Sequence, residues 1–274
     1  MLKRTLSTLA LWGLVSACVY FFGHIGGVIL IAAVAVLTLR EFYALIEKLG
    51  VQVFDKVGML LAAVMTLAPW ALEPYCPVRA ELVLALGVVL FSVRILGERD
   101  PQNRVETLGW SLFGLVYVPF MLQYLVRIVI IDQPHANSGM VLAIWVIAAS
   151  KFCDTGALLC GMAFGRHKMS PVISPKKTWE GAIGGVLISA GVSAGYAALF
   201  STWLPASFTP LVAALMAVPI AVLAIVSDLI ESVIKRRVDT KDTGQAIPGI
   251  GGIFDLSDSL ILTAPVGYAL IKLL

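Results

Sequence analysis

The sequence has little charge: only 14% of its 274 residues are Asp, Glu, Lys or Arg, against about 25% in an average soluble domain. Hydrophobic residues make up 59% of the chain. Several windows of about 20 residues are nearly free of charge, which is the length of a helix that crosses a bilayer. This scarcity excludes a sizeable soluble domain. We therefore expect an all-α, polytopic integral membrane protein whose 274 residues form a single membrane domain.

Cysteine and histidine are also scarce, with four and three residues. Cys153 and Cys160 lie seven positions apart in one predicted helix, a spacing that suits neither a disulfide nor a zinc site. The net charge of +3 does not imply a nucleic-acid partner, because the basic residues are sorted into particular loops. We expect no nucleic acid among the partners.

Apolar runs separated by Gly- or Pro-bearing segments predict about nine transmembrane helices. They lie near 6–22, 25–40, 57–72, 80–96, 108–131, 139–162, 178–200, 208–234 and 252–273. The first run, with its basic start and VSAC segment, also resembles a cleavable signal. Because apolar sequence continues directly into a second span, a retained helix is the favoured interpretation.

The distribution of Lys and Arg predicts the orientation of these spans. With a cytoplasmic N-terminus, most of the 20 basic residues fall in segments on the cytoplasmic side. Exceptions include Arg79 and Lys272 outside, and Lys151 within the sixth span. A bias of this size would disappear if one span were miscounted, so it favours nine spans.

Ionisable residues recur inside three of the predicted spans, where each costs about 2.5–3.5 kcal/mol on insertion scales and is a candidate for function. Within each span they lie three or four positions apart, on one helix face. They are Lys151 and Asp154 in the sixth span, Asp228 and Glu231 in the eighth, with Lys235 on the same face directly after it, and Asp255 and Asp258 in the ninth. Self-neutralising pairs are one interpretation. Because the acids outnumber the lysines, a bound cation is the other, and carboxylate oxygens suit Mg²⁺.

Two loops beside these spans are rich in basic residues. They cover 165–181, GRHKMSPVISPKKTWEG, and 235–252, KRRVDTKDTGQAIPGIGG. The glycines of the second loop allow close approach of the backbone to a ligand. Basic loops also follow from membrane orientation alone, but beside intramembrane acids they indicate phosphate binding together with a metal. Phosphoryl and nucleotidyl transfer depend on such groups.

The run from Ser232 to Asp258, SVIKRRVDTKDTGQAIPGIGGIFDLSD, resembles the signature of phosphatidate cytidylyltransferases, also called CDP-diacylglycerol synthases. Segment 173–181, ISPKKTWEG, and the stretch from Asp154 to Arg166 resemble the other two blocks of that family. The early Arg40-Glu41-Phe42-Tyr43 is similar to the family as well. The resemblance extends from end to end of the chain, with the three blocks in the family's order.

The resemblance implies an integral membrane enzyme that joins phosphatidate to CTP, giving CDP-diacylglycerol and pyrophosphate. It implies Mg²⁺ and a monovalent cation such as K⁺ as cofactors. The oxygen of the lipid phosphate attacks the α-phosphorus, so no protein nucleophile is required. The resemblance also suggests a homodimer, and an active site that faces the cytoplasm from the cell inner membrane. An N-terminal helical part, about 1–135, would precede a catalytic part, about 139–274.

The intramembrane acids and the resemblance together predict three groups of site residues. The catalytic residues are Asp154, Asp228, Lys241 and Asp255. The substrate-binding residues are Ser174, Lys176, Lys177, Lys235, Arg236, Asp242, Gly251 and Gly252. The metal ligands are Asp228, Glu231, Asp255 and Asp258.

Three positions depart from the family pattern. Ile250 stands where the family has histidine, Leu256 where it has arginine, and Ser227 where it has glycine. These replacements remove two phosphate partners and leave the lipid and nucleotide preference open. The same apparatus could serve another lipid phosphate, or a CTP-dependent lipid kinase. An ion- or proton-coupled transporter is a further alternative, although the sequence shows no obvious inverted repeat of the kind found in many transporters.

Overall fold

The computed structural model of the chain describes residues 2–76, 78–97, 103–135, 137–240, 243–244 and 251–274, with the backbone alone at 2–12, 14–16 and 19. In these ranges the chain is mostly helical, as expected, with one short β-hairpin. The elements are α1 Leu2–Glu47, α2 Asp55–Ala71, α3 Ala80–Leu96, α4 Arg104–Tyr117, α5 Pro119–Val129, α6 Ser138–Phe164, β1 Lys168–Ser170, β2 Ser174–Thr178, α7 Trp179–Leu199, α8 Pro210–Arg237 and α9 Ile253–Lys272.

Six helical segments are long and apolar enough to cross a membrane among the residues described. They are Tyr20–Glu47, Arg104–Val129, Ser138–Phe164, Trp179–Leu199, Pro210–Arg237 and Ile253–Lys272. Each coincides with one predicted span, which confirms an all-α membrane protein. Helices α2 and α3 fall on two further predicted spans but have 17 residues each, or about 25 Å, against about 30 Å of hydrocarbon. The count of nine spans stays a prediction.

Helix α1 covers the first two predicted spans, and the break between them is a single residue. At Gly23 the backbone leaves the helical conformation, with φ 54° and ψ −135°. A residue with a Cβ rarely adopts these angles, so glycine permits the bend. The fifth predicted span is likewise divided: α4 ends at Tyr117 and α5 begins at Pro119. A proline at the first position of a helix loses no hydrogen bond, because that N–H has no helical partner.

The chain divides into two compact units. The N-terminal unit consists of Met1–Arg127 and Arg237–Ser257, and the C-terminal unit consists of Ile128–Arg236 and Asp258–Leu274. The glycine-rich loop that the sequence placed next to the ninth span therefore belongs with the N-terminal helices.

Aromatic residues form the core of the N-terminal unit. The buried ring of Phe42 lies about 6 Å from the rings of Phe113 and Phe254. The hydroxyl of Tyr43 donates to the backbone oxygen of Ser111 at 2.7 Å, and Gly114 leaves room for its ring, because a Cβ there would collide with the ring. Helix α1 is thereby fixed against α4 and against the first turn of α9.

Small residues bring α6 and α7 together in the C-terminal unit. A Cβ on Gly156 would lie 3.1 Å from the Cα of Gly185, and one on Gly181 would lie 3.1 Å from the Cα of Gly161. Glycines at such spacing let two transmembrane backbones approach closely. This contact fixes the helix that carries Lys151 and Asp154 against the helix that follows the basic hairpin β1–β2.

Candidate active site

Three carboxylates meet in the C-terminal unit. Asp228 and Glu231 lie one turn apart on α8, and α9 contributes Asp258. One carboxylate oxygen from each lies within 4.8 Å of the others. Glu231 and Asp258 are buried and Asp228 is partly exposed. The hydroxyl of Ser227 is hydrogen-bonded to the backbone oxygen of Asp258, which links α8 to α9 at this level. We call these three residues the carboxylate cluster.

A lysine contacts each member of the carboxylate cluster. Lys177 lies 2.7 Å from Asp228, and Lys235 lies 3.0 Å from Glu231. Lys151 lies 3.5 Å from Asp258 and donates to the hydroxyl of Ser259 at 2.7 Å. The predicted pair of Glu231 with Lys235 is thus present. Lys177 brings a positive charge to the cluster from the hairpin.

Asp154 borders the cluster through Lys151. Its carboxylate lies 3.8 Å from the ammonium group of Lys151, which also contacts Asp258. One lysine therefore connects the polar face of α6 with α9. The predicted pair of Lys151 with Asp154 is present, and Lys151 is shared with a second carboxylate.

The basic segment predicted as a loop over 165–181 is largely a β-hairpin. Strand β1 pairs with β2 in antiparallel fashion, with Ser170 opposite Ser174. Because side chains alternate along a strand, neighbouring lysines differ: Lys176 is exposed, whereas Lys177 is partly buried and reaches Asp228. The hairpin thus separates the two predicted phosphate-binding lysines, with one at the cluster and one in solvent.

Two contacts at the base of the hairpin fix where α7 begins. The hydroxyl of Thr178 accepts the N–H of Gly181 at 3.2 Å and caps the helix. The carboxylate of Glu180 accepts the N–H groups of Arg166 and His167 at 3.1 and 3.2 Å. At the end of α8, the exposed Arg236 donates from Nε to the backbone oxygen of Ile173 at 3.2 Å. These bonds hold the strand that carries Lys177.

Asp255 belongs to the N-terminal unit and is bound by backbone groups. Its Oδ2 accepts the N–H of Gly252 at 2.7 Å and that of Thr243 at 3.2 Å. Gly251 has a φ of 125°, and a Cβ there would lie 2.6 Å from the Asp255 carboxylate. The glycine was expected to admit a ligand, and the structure shows that it admits this carboxylate. The predicted site residues Lys241 and Asp242 lie outside the described residues.

Glu41 lies on α1, contacts the same loop and is absent from the predicted site residues. Its Oε2 accepts the N–H of Phe254 at 2.9 Å and the hydroxyl of Thr243 at 3.1 Å. The Arg40-Glu41-Phe42-Tyr43 motif marks the position in the sequence. Nothing local to that motif, however, indicates a partner more than 200 residues further along the chain.

The carboxylate cluster is suited to a divalent cation. Mg²⁺ binds oxygen ligands at about 2.0–2.1 Å, so ligands on opposite sides lie about 4 Å apart. The 4.8 Å limit on the cluster oxygens is close to this spacing. All three donors are carboxylate oxygens, the hard ligands that Mg²⁺ prefers. The cluster could therefore hold such an ion, and each of its carboxylates contacts a lysine.

Buried carboxylates that can hold a cation, beside lysines that can bind phosphates, define a class: membrane enzymes that act on phosphate-bearing substrates. The sequence pattern of the Cytidylyltransferase family matches residues 2–274, nearly the whole chain. The chain belongs to this family, and it is therefore a nucleotidyltransferase.

Two phosphatidate cytidylyltransferases and one uncharacterized protein are among the curated proteins similar to this chain. The chain is 29% identical over 270 residues to a phosphatidate cytidylyltransferase of Synechocystis sp., covering 89% of this chain and 87% of that protein. It is 30% identical over 214 residues to a phosphatidate cytidylyltransferase of Thermotoga maritima, covering 72% and 71%. It is also 31% identical over 198 residues to the Escherichia coli protein YnbB, covering 72% of this chain and 62% of YnbB.

Proposed function

We propose that this protein transfers CMP from CTP to phosphatidate, giving CDP-diacylglycerol and pyrophosphate. Membership of the Cytidylyltransferase family and the names of the Synechocystis and Thermotoga relatives support this reaction. The observation that carries it is the carboxylate cluster, where three carboxylates that could bind a cation each contact a lysine. This combination suits a substrate that is both polyanionic and metal-bound.

The proposed reaction requires no nucleophile from the protein. A phosphate oxygen of phosphatidate attacks the α-phosphorus of CTP and forms a new P–O–P bond. The bond between the α-phosphorus and the oxygen bridging to the β-phosphorus breaks, and pyrophosphate leaves. The protein contributes positioning and compensation of charge, which supply most of the catalysis in such transfers.

Asp228, Glu231 and Asp258 would hold the catalytic Mg²⁺, and the predicted role of Asp255 as a further ligand is retained as a proposal. When bound, Mg²⁺ supplies positive charge that orients and neutralises phosphate oxygens. The lysines that now contact the cluster carboxylates would then bind phosphate groups. Such an exchange replaces one set of ion pairs by another and leaves no buried charge without a partner.

The remaining predicted site residues have roles in binding the two substrates. Exposed or partly exposed groups on the hairpin and at the end of α8 would bind CTP and the lipid phosphate: Ser174, Lys176, Lys177, Lys235 and Arg236. Asp154 would hold Lys151 in place beside the cluster. Lys241, Asp242, Gly251 and Gly252 are proposed on the family resemblance, as catalytic or substrate-binding residues.

The arrangement in the membrane is part of the proposal. Nine spans with a cytoplasmic N-terminus would place the basic hairpin and the end of α8 in the cytoplasm, where CTP is made. An inner-membrane location would give access to phosphatidate. A homodimer, a monovalent cation such as K⁺, and a division into a helical part at 1–135 and a catalytic part at 139–274 complete the proposal.

The test is an assay of the purified protein in detergent with labelled CTP, phosphatidate and Mg²⁺. We expect CDP-diacylglycerol and pyrophosphate in equal amounts, and none after chelation of the metal. Formation of CDP and a phosphorylated lipid would instead identify a kinase. Folded protein that turns over other lipid phosphates but not phosphatidate would contradict the proposed substrate.

A further inference from the structure

Glu41 makes the long-range contacts of a residue that organises a loop. It lies on α1, and its carboxylate accepts hydrogen bonds from the hydroxyl of Thr243 and the N–H of Phe254. Thr243 lies within the loop 235–252, directly before Gly244, and Phe254 follows the loop. A single side chain therefore contacts the segments on both sides of the glycines of this loop.

The carboxylate of Glu41 occupies space that side chains at two glycine positions would need. A Cβ on Gly244 would lie 2.8 Å from Oε1 of Glu41, and a Cβ on Gly252 would collide with both Oε2 of Glu41 and Oγ1 of Thr243. Side chains at either position would disturb the carboxylate or its hydrogen bond to Thr243. These glycines are therefore explained by Glu41 and Thr243, whereas the sequence alone suggested that glycines here admit a ligand.

The start of α9 shows what the carboxylate replaces. Gly252 directly precedes the first residue of α9, at the position where Ser, Thr, Asp or Asn usually accepts an N–H of the first turn. Gly252 has no side chain to do so. Glu41 accepts the N–H of Phe254 from α1, while Asp255 accepts the N–H of Gly252. The pair reproduces a capping box with one partner supplied from 213 residues away.

We propose that Glu41 is a positioning residue for the transfer reaction. It holds Thr243–Gly244 and Gly251–Gly252 in one conformation and orients the first turn of α9, which carries Asp255. Its catalytic effect rests on the proposed function, but its effect on the loop does not. Without Glu41, the loop would have to become ordered when CTP binds, and that ordering lowers the apparent affinity for CTP. Loss of Glu41 should therefore weaken CTP binding more than it slows turnover at saturating CTP.

The experiment compares Glu41→Ala and Glu41→Gln with Glu47→Ala, an exposed glutamate at the end of the same helix. The first readout is hydrogen–deuterium exchange of peptides that cover 243–257, which needs no substrate. We expect exchange about 10- to 100-fold faster in Glu41→Ala, because hydrogen bonds to a charged acceptor are lost. Glu41→Gln should be affected less, since its amide oxygen still accepts. Glu47→Ala should match the wild type.

The second readout is the kinetics of CTP use. We expect KM for CTP to rise about 10-fold or more in Glu41→Ala with a smaller fall in kcat, and partial recovery in Glu41→Gln. Unchanged exchange in 243–257, or kinetic loss that only follows loss of folded protein, would overturn the proposal. If Glu41→Ala does not fold, Glu41→Gln and Thr243→Val carry the same test. If the wild-type protein does not transfer a cytidylyl group, the proposed function is refuted. The hydrogen–deuterium exchange result would still decide whether Glu41 orders the loop.

Discussion

Two groups of carboxylates, one in each unit, differ in their main partners among the described residues. In the C-terminal unit, Asp228, Glu231 and Asp258 face lysine ammonium groups. In the N-terminal unit, Glu41 and Asp255 face backbone N–H groups of the glycine-rich loop and of the first turn of α9. Both groups lie on segments that resemble one enzyme family, yet their chemistry differs.

The difference distinguishes carboxylates that can exchange their partners during the reaction from carboxylates that hold the backbone in place. A lysine can leave a carboxylate when a metal cation and a phosphate arrive, because each charge then has a new partner. A backbone N–H can move only if the loop moves. We infer that the carboxylate cluster takes part in the reaction, and that Glu41 and the backbone contacts of Asp255 fix geometry. The following predictions test that separation.

The largest effect is expected for Asp228→Asn. Asparagine keeps the shape of the side chain but removes a charged ligand and leaves Lys177 without its carboxylate partner. We expect kcat for CDP-diacylglycerol formation to fall about 10²- to 10³-fold, with a higher Mg²⁺ requirement. Asp239→Asn is the matched control: Asp239 is exposed, and its φ of 48° suits asparagine. Turnover of Asp228→Asn close to that of the control would remove Asp228 from the metal site.

Asp255→Asn tests whether Asp255 takes part in the reaction as a metal ligand or only fixes the geometry of the loop. The amide oxygen can still accept the N–H groups of Gly252 and Thr243, so the substitution removes charge and preserves the loop. If Asp255 is a metal ligand as predicted, kcat falls about 100-fold while exchange of 243–257 stays as in the wild type. Activity near the wild-type level, measured over a Mg²⁺ titration, would show that Asp255 is not a metal ligand.

Two neighbouring lysines on β2 allow a direct comparison of a lysine at the cluster with one in solvent. Lys177 reaches Asp228, whereas Lys176 is exposed. We expect Lys177→Ala to lower kcat/KM about 10- to 100-fold through the loss of a charge-assisted contact. Lys176→Ala should weaken CTP use less and leave membrane insertion unchanged, as a solvated side chain contributes little to packing. Equal effects of the two substitutions would contradict the role assigned to the alternation of the strand.

The smallest effect on activity is expected for substitution of Arg127, which forms a bidentate ion pair with a carboxylate. Its guanidinium lies 2.6 and 3.1 Å from the two oxygens of Glu73, and Nε donates to Gln123 at 2.8 Å. Arg127→Lys loses this bidentate geometry. We expect about 1–3 kcal/mol lower stability in thermal unfolding and unchanged kcat at temperatures where the variant is folded. Reduced kcat under those conditions would show that ion pairs outside the cluster also serve the reaction.

Much of the fold was predictable because a membrane span is a local property. Length and hydropathy of a single segment decide whether it can cross, and six predicted spans coincide with such helices among the described residues. The hairpin over Lys168–Thr178 was not predicted, since its residues alternate in exposure over only a few positions. Its basic and proline residues indicate a loop equally well.

The candidate site was predictable in part for the same reason. Asp228 and Glu231 share a helix face by spacing alone, and so does the pair of Glu231 with Lys235. Lys177 was predicted to bind phosphate, but its contact with Asp228 depends on how the hairpin packs. Glu41 was recognised only as part of a family-like motif, and no local pattern connects it with Phe254.

A helical membrane protein with carboxylates on the faces of its last spans, and its membership of the Cytidylyltransferase family, follow from the amino-acid order alone. Insertion cost and helix periodicity act within one segment, so they can be read from it. The packing of the chain was needed to show that Asp258 joins the acids of α8, that Lys151 and Lys177 contact them, and that Glu41 caps α9. Those contacts join residues from about 30 to more than 200 positions apart. Their geometry is set by the packing of helices, which no single segment encodes.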